Sequence, residues 1–218
     1  MNNNLKKMGH ILFHKLLVKI KEYNKTDMAT KSYILCPNHT SDLDGPVLWS
    51  SNENLRIMAK KECFDNKLLS ILLNKIDVVS VDRKNHTGAE IMQAVRYLKE
   101  EGKAFMMFPQ GTISDINKNS LSRIMNGAFM ISSLSKAPIV PVFIEQPRFF
   151  RRSRINYGNA FQPDVLNEKG KIDREKLEGA RSFWQQEVLR LQQEAAELGH
   201  RAIRKIKLNK KHANNNIG

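Results

Sequence analysis

The sequence predicts an α/β fold with a mixed, largely parallel central sheet flanked by helices. Two observations lead to this prediction: short apolar runs alternate along the chain with apolar residues at helical spacing, and the composition suits a single core. The chain has 218 residues, of which 41% are hydrophobic, which is enough for one sizeable core and too little for two full domains. An N-terminal amphipathic helix and a long C-terminal helix complete the predicted fold.

Five apolar runs, each bounded by turn residues or charges, are predicted to be the strands of the sheet. They are Tyr33–Cys36, Leu55–Ala59, Asp77–Val81, Ala104–Phe108 and Ile139–Ile144. A helix between the third and fourth runs forms a βαβ unit with them, and a parallel pair of strands needs such a crossover.

That crossover helix is predicted from a capping box, Thr87 to Glu90, and it ends at Gly102. Shorter helices are predicted over Asn66–Leu73 and Asn126–Ser135. The C-terminal helix is predicted from apolar residues at steps of three and four, namely Leu177, Ala180, Trp184, Val188, Leu191, Ala195 and Leu198. Its expected role is structural.

The two ends of the chain differ from the middle in composition. Apolar residues at helical spacing among lysines predict a basic amphipathic helix within residues 1–28, which either lies on an anionic membrane or packs on the domain. Residues 29–208 are predicted to form the main domain, including the C-terminal helix. Residues 209–218, rich in Asn and Lys, are predicted to be a disordered tail.

The charge balance indicates an anionic partner. The chain has 36 Lys and Arg against 22 Asp and Glu, which gives a net charge of +14. The composition of one basic run with two aromatic residues is most simply that of an exposed turn, and it also suits lipid headgroups or single-stranded nucleic acid. Its members are Arg148, Phe149, Phe150, Arg151, Arg152 and Arg154.

Cysteine usage and hydropathy predict a location inside the cell. Cys36 and Cys63 stand beside apolar residues without metal-ligand spacing, which favours reduced thiols. The sequence has no apolar run of about 18 residues that would span a bilayer, and no secretory signal pattern. We therefore expect a cytoplasmic protein, and the motifs described below favour a peripheral position on the inner face of the cell membrane.

The chemistry is concentrated in Asn38-His39-Thr40-Ser41-Asp42-Leu43-Asp44, which follows the first predicted strand. Loops at the carboxyl ends of strands are where α/β folds build their sites. An imidazole oriented by a carboxylate can take the proton from a hydroxyl that attacks an acyl carbonyl. His39 and Asp44 are therefore the predicted catalytic pair.

Four blocks in order resemble the glycerolipid acyltransferases typified by bacterial 1-acylglycerol-3-phosphate acyltransferases. They are His39 to Asp44, Ala59-Lys60-Lys61-Glu62 leading to Val79-Ser80-Val81-Asp82-Arg83, Phe108-Pro109-Gln110-Gly111-Thr112, and Ala137-Pro138-Ile139-Val140-Pro141-Val142. One such block arises easily by chance, whereas four in order are specific.

The resemblance implies transfer of a fatty acyl group to the hydroxyl of a lysophospholipid, by default 1-acylglycerol-3-phosphate. The donor is a thioester of coenzyme A or of acyl carrier protein, and no other cofactor, metal or nucleic acid is expected. The resemblance places Arg83 at a phosphate-contacting position, with Lys60 or Lys61 as a second candidate. The other implied substrate-binding residues are Phe108, Pro109, Gln110, Gly111 and Thr112. Backbone N–H groups near Gly111 and Thr112 are candidates for stabilising the oxyanion.

Two residues depart from the family pattern, and both concern recognition of the acceptor. Gln110 stands where the family usually has Glu, and Ile113 where it usually has Arg. The second change removes a cation, which Arg123 or the basic run at 148–154 is a candidate to replace. His39 and Asp44 are intact, so altered acceptor recognition is the expected consequence.

Two other kinds of function fit parts of the pattern. A non-catalytic lipid-binding or membrane-scaffold protein of the same fold would tolerate the changes at Gln110 and Ile113. A metal-dependent glycosyltransferase would use Asp42 and Asp44 as a D-x-D metal site.

Overall fold

The computed structural model describes residues 8, 11, 19–25, 32–52, 55–65, 70, 78–81, 88–100, 103–116, 123–148 and 153–215. For residues 60, 63, 64 and 199–215 it describes the backbone alone. The strands in this part of the chain are β1 (Ile20–Tyr23), β2 (Tyr33–Pro37), β3 (Leu55–Lys60), β4 (Val78–Val81), β5 (Ala104–Met106), β6 (Ile139–Ile144) and β7 (Ser153–Tyr157). The α-helices are α1 (Asp44–Ser51), α2 (Ala89–Leu98), α3 (Gly127–Ser135) and α4 (Arg174–Asn215).

The strands form one sheet in the order β1-β7-β6-β2-β5-β3-β4. Strands β2 to β6 run in the same direction, while β7 pairs antiparallel with β6 and parallel with β1. The predicted fold class, a mixed and largely parallel sheet with flanking helices, is therefore confirmed. The central position of β2 brings its carboxyl end, where His39 follows, beside the ends of β5 and β6.

Helices cover both faces of the sheet, so its central strands are apolar on both sides. Alternate residues of β2 show this: Ile34 and Cys36 pack with the apolar faces of α2, α3 and α4, whereas Leu35 packs with α1. The indole of Trp184 in α4 donates to the Cys36 carbonyl (2.8 Å), which links the C-terminal helix to the strand that leads to His39.

Helix ends follow local chemistry. Asp173 accepts from the backbone N–H groups of Glu175 (3.0 Å) and Lys176 (3.2 Å), which caps the start of α4. Helix α2 begins after Gly88, whose φ of 75° is left-handed, so Gly88 occupies the cap position that the predicted capping box gives to Thr87.

Four of the five predicted strands differ from the observed ones by no more than two residues at an end, and the fifth is identical. Two strands, β1 and β7, were not predicted. Ile20, predicted as part of the N-terminal helix, begins β1, and most of the rest of residues 1–28 lie outside the described residues. The predicted helix over Asn66–Leu73 also lies there, apart from residue 70. Helix α4 continues to Asn215, past the predicted boundary at residue 208, because Lys, Arg and Leu are good helix formers.

Candidate active site

The predicted pair is formed at the point where β2 ends and α1 begins. The Nδ1 atom of His39 lies 3.0 Å from Oδ2 of Asp44, the first residue of α1. The side chain of Asp44 is fully buried, while that of His39 is 17% exposed. An ionised carboxylate only accepts hydrogen bonds, so Nδ1 carries the proton and Nε2 keeps its lone pair. This arrangement leaves a proton-accepting atom on a partly exposed ring.

Asp44 is held by the loop that it follows. Its Oδ2 atom accepts from the backbone N–H groups of Thr40 (2.6 Å) and Ser41 (2.8 Å), and Oδ1 accepts from the Thr40 hydroxyl (3.0 Å). Asp44 also lies in the first turn of α1, where the positive end of the helix dipole stabilises a carboxylate. The carboxylate therefore has a fixed orientation towards His39.

Asn38 fixes the backbone just before His39. Its side chain continues the sheet: Oδ1 accepts from the N–H of Ile144 (2.8 Å), and Nδ2 donates to the carbonyl of the same residue (3.0 Å). Its own N–H donates to the Val142 carbonyl (3.2 Å). A buried amide with both ends paired holds the end of β2 against β6 at the residue before the site.

The block that begins at Phe108 covers one side of the imidazole. The ring of Phe108 stacks on that of His39, with centroids 3.9 Å apart and an angle of 18° between the planes. The chain then turns: the Gly111 N–H donates to the Phe108 carbonyl (2.9 Å), and Gly111 has a φ of 69°, which favours glycine. The Pro109 carbonyl accepts from the Met125 N–H (2.7 Å).

Gln110 joins this block to His39 itself. Its Oε1 accepts from the backbone N–H of His39 (2.8 Å), and its Nε2 donates to the Ser114 hydroxyl (2.8 Å) and the Ser114 carbonyl (3.3 Å). The Ser114 N–H in turn donates to the His39 carbonyl (3.0 Å). Sequence reasoning missed Ser114, and no local signal marks it, since the His39 backbone that it binds is distant in sequence.

The remaining predicted residues fall into two groups. Thr112 is exposed next to the turn, and within the described chain its N–H has no hydrogen-bond acceptor. Lys60 ends β3 and pairs with Val81 of β4, and exposed Lys61 begins the 3-10 helix Lys61–Phe64 that follows. Arg83 lies outside the described residues, as does the side chain of Lys60, so the predicted cation cluster stays a prediction.

Arg154 of the basic run is engaged in a structural ion pair. Its guanidinium donates to both carboxylate oxygens of Glu145 (2.7 and 3.0 Å) and to the Ala195 carbonyl of α4 (2.9 Å). The hydrogen bond to Glu145 raises the pKa of Arg154 above its usual value. This pairing makes Arg154 a weaker candidate than the other arginines to replace the cation missing at Ile113. Exposed Arg148 of the same run contacts Gln146, and Arg151 and Arg152 lie outside the described residues.

The D-x-D triplet does not form a convergent pair of carboxylates. Asp42 is exposed, whereas Asp44 is buried and directed at His39 and the following backbone. Within the part of the chain that the structure describes, no three His, Cys, Asp or Glu side chains are grouped as metal ligands.

The chain is thus an α/β protein with a largely parallel sheet, and it carries an oriented imidazole at the carboxyl end of a central strand, an arrangement that can accept a proton. The model of the family described as Acyltransferase matches residues 18–145, and the chain belongs to that family. The resemblance predicted from the four blocks is thereby confirmed.

Curated relatives carry a more specific name. The chain is 31% identical over 131 residues to a 1-acyl-sn-glycerol-3-phosphate acyltransferase of Bacillus subtilis, an alignment that covers 59% of this chain and 63% of the relative. It is 26% identical over 187 residues to the protein of that name from Streptococcus pneumoniae, covering 80% and 67%. The chain thus spans about two thirds of the length of these relatives, slightly less for the first.

A solved structure shares the fold. The 1-acyl-sn-glycerophosphate (LPA) acyltransferase PlsC from Thermotoga maritima matches with a TM-score of 0.62 at 20% identity, over 90% of this chain and 78% of that one. None of the helices in the described ranges has the length and apolar character to cross a bilayer.

Proposed function

We propose that the protein transfers a fatty acyl group from a thioester to the free hydroxyl of a lysophospholipid, by default 1-acylglycerol-3-phosphate. The observation that carries the proposal is the His39–Asp44 pair, with Nδ1 bound to a buried carboxylate and Nε2 left to accept a proton. Membership of the Acyltransferase family and the names of the relatives support it.

The proposed step begins when Nε2 of His39 takes the proton from the acceptor hydroxyl as its oxygen attacks the thioester carbonyl. A carbon–oxygen bond forms, and the carbonyl electrons move onto the carbonyl oxygen. When they return, the carbon–sulfur bond breaks and the thiolate leaves with the proton from His39. Asp44 stabilises the imidazolium between these two proton transfers, and a thiolate needs no strong general acid.

The oxyanion requires a donor aimed at the carbonyl, and Thr112 provides the candidate. Its N–H has no acceptor among the described residues and lies directly after the Gly111 turn, two residues from Gln110. The Gly111 N–H, predicted as a second donor, already binds the Phe108 carbonyl (2.9 Å). Preorganised backbone donors of this kind supply a large part of the catalysis of acyl transfer.

The acceptor phosphate is proposed to bind at the neighbouring ends of β3 and β4. The register that pairs Lys60 with Val81 brings these ends together, and Arg83 follows Val81 by two residues. A guanidinium can bind two phosphate oxygens at once, which makes Arg83 the principal candidate and Lys60 or Lys61 its partner.

The acyl donor and the lysophospholipid acceptor both carry acyl chains, so we propose that the protein acts at an anionic membrane surface, on the inner face of the cell membrane. Ile113 and Met125 are 49% and 44% exposed and flank the site, and Arg123 is exposed beside them. Exposed apolar residues next to a cation suit the boundary between headgroups and acyl chains. The proposed donor is acyl-coenzyme A or acyl carrier protein, whose acidic character fits the net charge of +14.

The testing experiment measures acyl transfer by purified protein with both thioester donors and a panel of lysophospholipids on vesicles. We expect turnover with 1-acylglycerol-3-phosphate that survives a chelator and falls at least about 10³-fold in His39→Ala. His200→Ala, in α4, is the matched control and keeps wild-type turnover.

The outcomes separate the alternatives. Vesicle binding without turnover for any donor and acceptor would favour a lipid-binding protein of this fold. Turnover with a sugar nucleotide that the chelator abolishes would favour a D-x-D metal site at Asp42 and Asp44.

A further inference from the structure

The side chain of Gln110 links the turn after β5 to the peptide of His39. It is 4% exposed, and it bridges two backbone segments that lie 71 residues apart in sequence. Its amide oxygen binds the His39 N–H, and its amide nitrogen binds Ser114 twice. These three contacts use the oxygen and both N–H groups of the amide, so none of its donors remains for a substrate.

The polarity of these contacts suits an amide and no other side chain of this size. The His39 N–H requires an acceptor at Oε1. The Ser114 hydroxyl donates to the Thr112 carbonyl (3.3 Å) and accepts from residue 110, and the Ser114 carbonyl also requires a donor. A carboxylate at this position would face the Ser114 carbonyl and compete for its one hydroxyl proton.

These hydrogen bonds form a closed ring that passes through the backbone of His39, the Gln110 side chain and Ser114. The His39 N–H binds Gln110, and the His39 carbonyl accepts from the Ser114 N–H (3.0 Å), so both polar groups of its backbone are tied to residues 110–114. The imidazole is held separately, by Asp44 at Nδ1 and by the stacked ring of Phe108. Asp44 and Phe108 set the orientation of the ring, while Gln110 and Ser114 set the position of the backbone that carries it, so the location of Nε2 depends on both sets of contacts.

We propose that Gln110 is a positioning residue for His39, acting through the backbone of His39 and the Ser114 turn, and that the acceptor lipid does not contact its amide. The family resemblance instead implies substrate contact at this position. The kinetic part of this inference rests on the proposed function, whereas its spectroscopic part does not.

The kinetic test replaces Gln110 by Met, which keeps the length and removes the hydrogen bonds. We expect kcat to fall about 10- to 100-fold while the KM for the acceptor stays within about threefold, because small displacements of a base cost rate rather than binding. Gln162→Met is the matched control: Gln162 also donates to a serine, Ser132 (3.1 Å), away from the site, and its variant should keep wild-type kcat. An increase in KM with unchanged kcat, or no change in either, would overturn the proposal.

A second variant, Gln110→Glu, tests the proposal where the first fails to fold. It keeps an acceptor for the His39 N–H and loses both donors to Ser114, so kcat should fall with little change in KM. If residue 110 instead touched the acceptor phosphate, repulsion between the two anions would raise KM, and that result would overturn the proposal.

The spectroscopic test needs no turnover, so it separates this inference from the proposed function. The backbone amide resonance of His39, followed by NMR, should move in Gln110→Glu and stay at the wild-type position in Gln162→Glu, because only residue 110 binds that N–H. An unchanged His39 resonance in Gln110→Glu would overturn the positioning role. Absence of acyl transfer by the wild-type protein with every lysophospholipid would count against the proposed function alone.

Discussion

Replacing Asp44 by Asn isolates the contribution of charge from that of geometry. The backbone N–H groups of Thr40 and Ser41 both point at Oδ2, so the amide oxygen of the introduced asparagine must take that place, where it also accepts from His39 Nδ1. The amide nitrogen then lies at the Oδ1 position and donates to the Thr40 hydroxyl, which can accept. The variant therefore keeps every partner and the orientation of the ring, and loses only the negative charge.

The lost charge matters when His39 becomes an imidazolium. Two opposite charges about 4 Å apart attract by about 4 kcal/mol at an effective dielectric constant of about 20. The neutral hydrogen bond that remains at 3.0 Å offsets about 1 kcal/mol of this loss. The net cost is about 3 kcal/mol in the transition state, which corresponds to a decrease in kcat of about 10²-fold.

The assay compares kcat of Asp44→Asn with that of Asp42→Asn, in which an exposed carboxylate two residues earlier is neutralised. The control should stay within about twofold of wild type. Asp44→Ala should lose about 1–2 kcal/mol in unfolding free energy relative to Asp44→Asn, since it leaves two part-buried N–H groups without their acceptor. A kcat for Asp44→Asn within threefold of wild type would refute the electrostatic role assigned to Asp44.

Three further predictions concern the residues around the site. Asn38→Ala should lower the unfolding free energy by about 2–4 kcal/mol in urea denaturation, because both backbone groups of Ile144 lose a buried partner; a loss below about 1 kcal/mol would contradict this. Burial raises the pKa of the Cys36 thiol, so the thiol stays protonated as pH rises from about 7 to 9. In a Cys63→Ser background, iodoacetamide should therefore react with Cys36 only after denaturant is added. Reaction at the rate of a free thiol would disprove burial. Trp184→Phe should lower the unfolding free energy by about 1–2 kcal/mol, because it removes the hydrogen bond to the Cys36 carbonyl (2.8 Å). The melting temperature should fall accordingly, and an unchanged melting temperature would contradict this.

The parts of the fold that the sequence predicts are those whose signal is local. Strand β6 is an unbroken apolar run, and its ends were predicted correctly because both of its faces are buried. Strands β1 and β7 have mixed sequences, IKEY and SRINY, which carry no such signal. They pair with each other although 133 residues separate Ile20 from its partner Ser153, and no local pattern contains that information.

The same distinction applies to the site. The His39–Asp44 contact is made within one loop, so its spacing was sufficient to predict it. The contacts of Gln110 and Ser114 with His39 depend on β2 and β5 being neighbours in the sheet, which the sequence does not reveal. The oxyanion prediction named both Gly111 and Thr112, and only the geometry of the turn shows that the Gly111 N–H is already bound.

The parallel pairing of β1 with β7 also bears on the order in which the sheet assembles during synthesis. Ile20 pairs with Ser153, so β1 has no partner strand in the described sheet until the ribosome has made residues 153–157. The parallel strands β2 to β6 precede β7 in the chain and are able to associate before it appears. Closing so long a loop is slow, and we expect the docking of β1 to be a late event in folding.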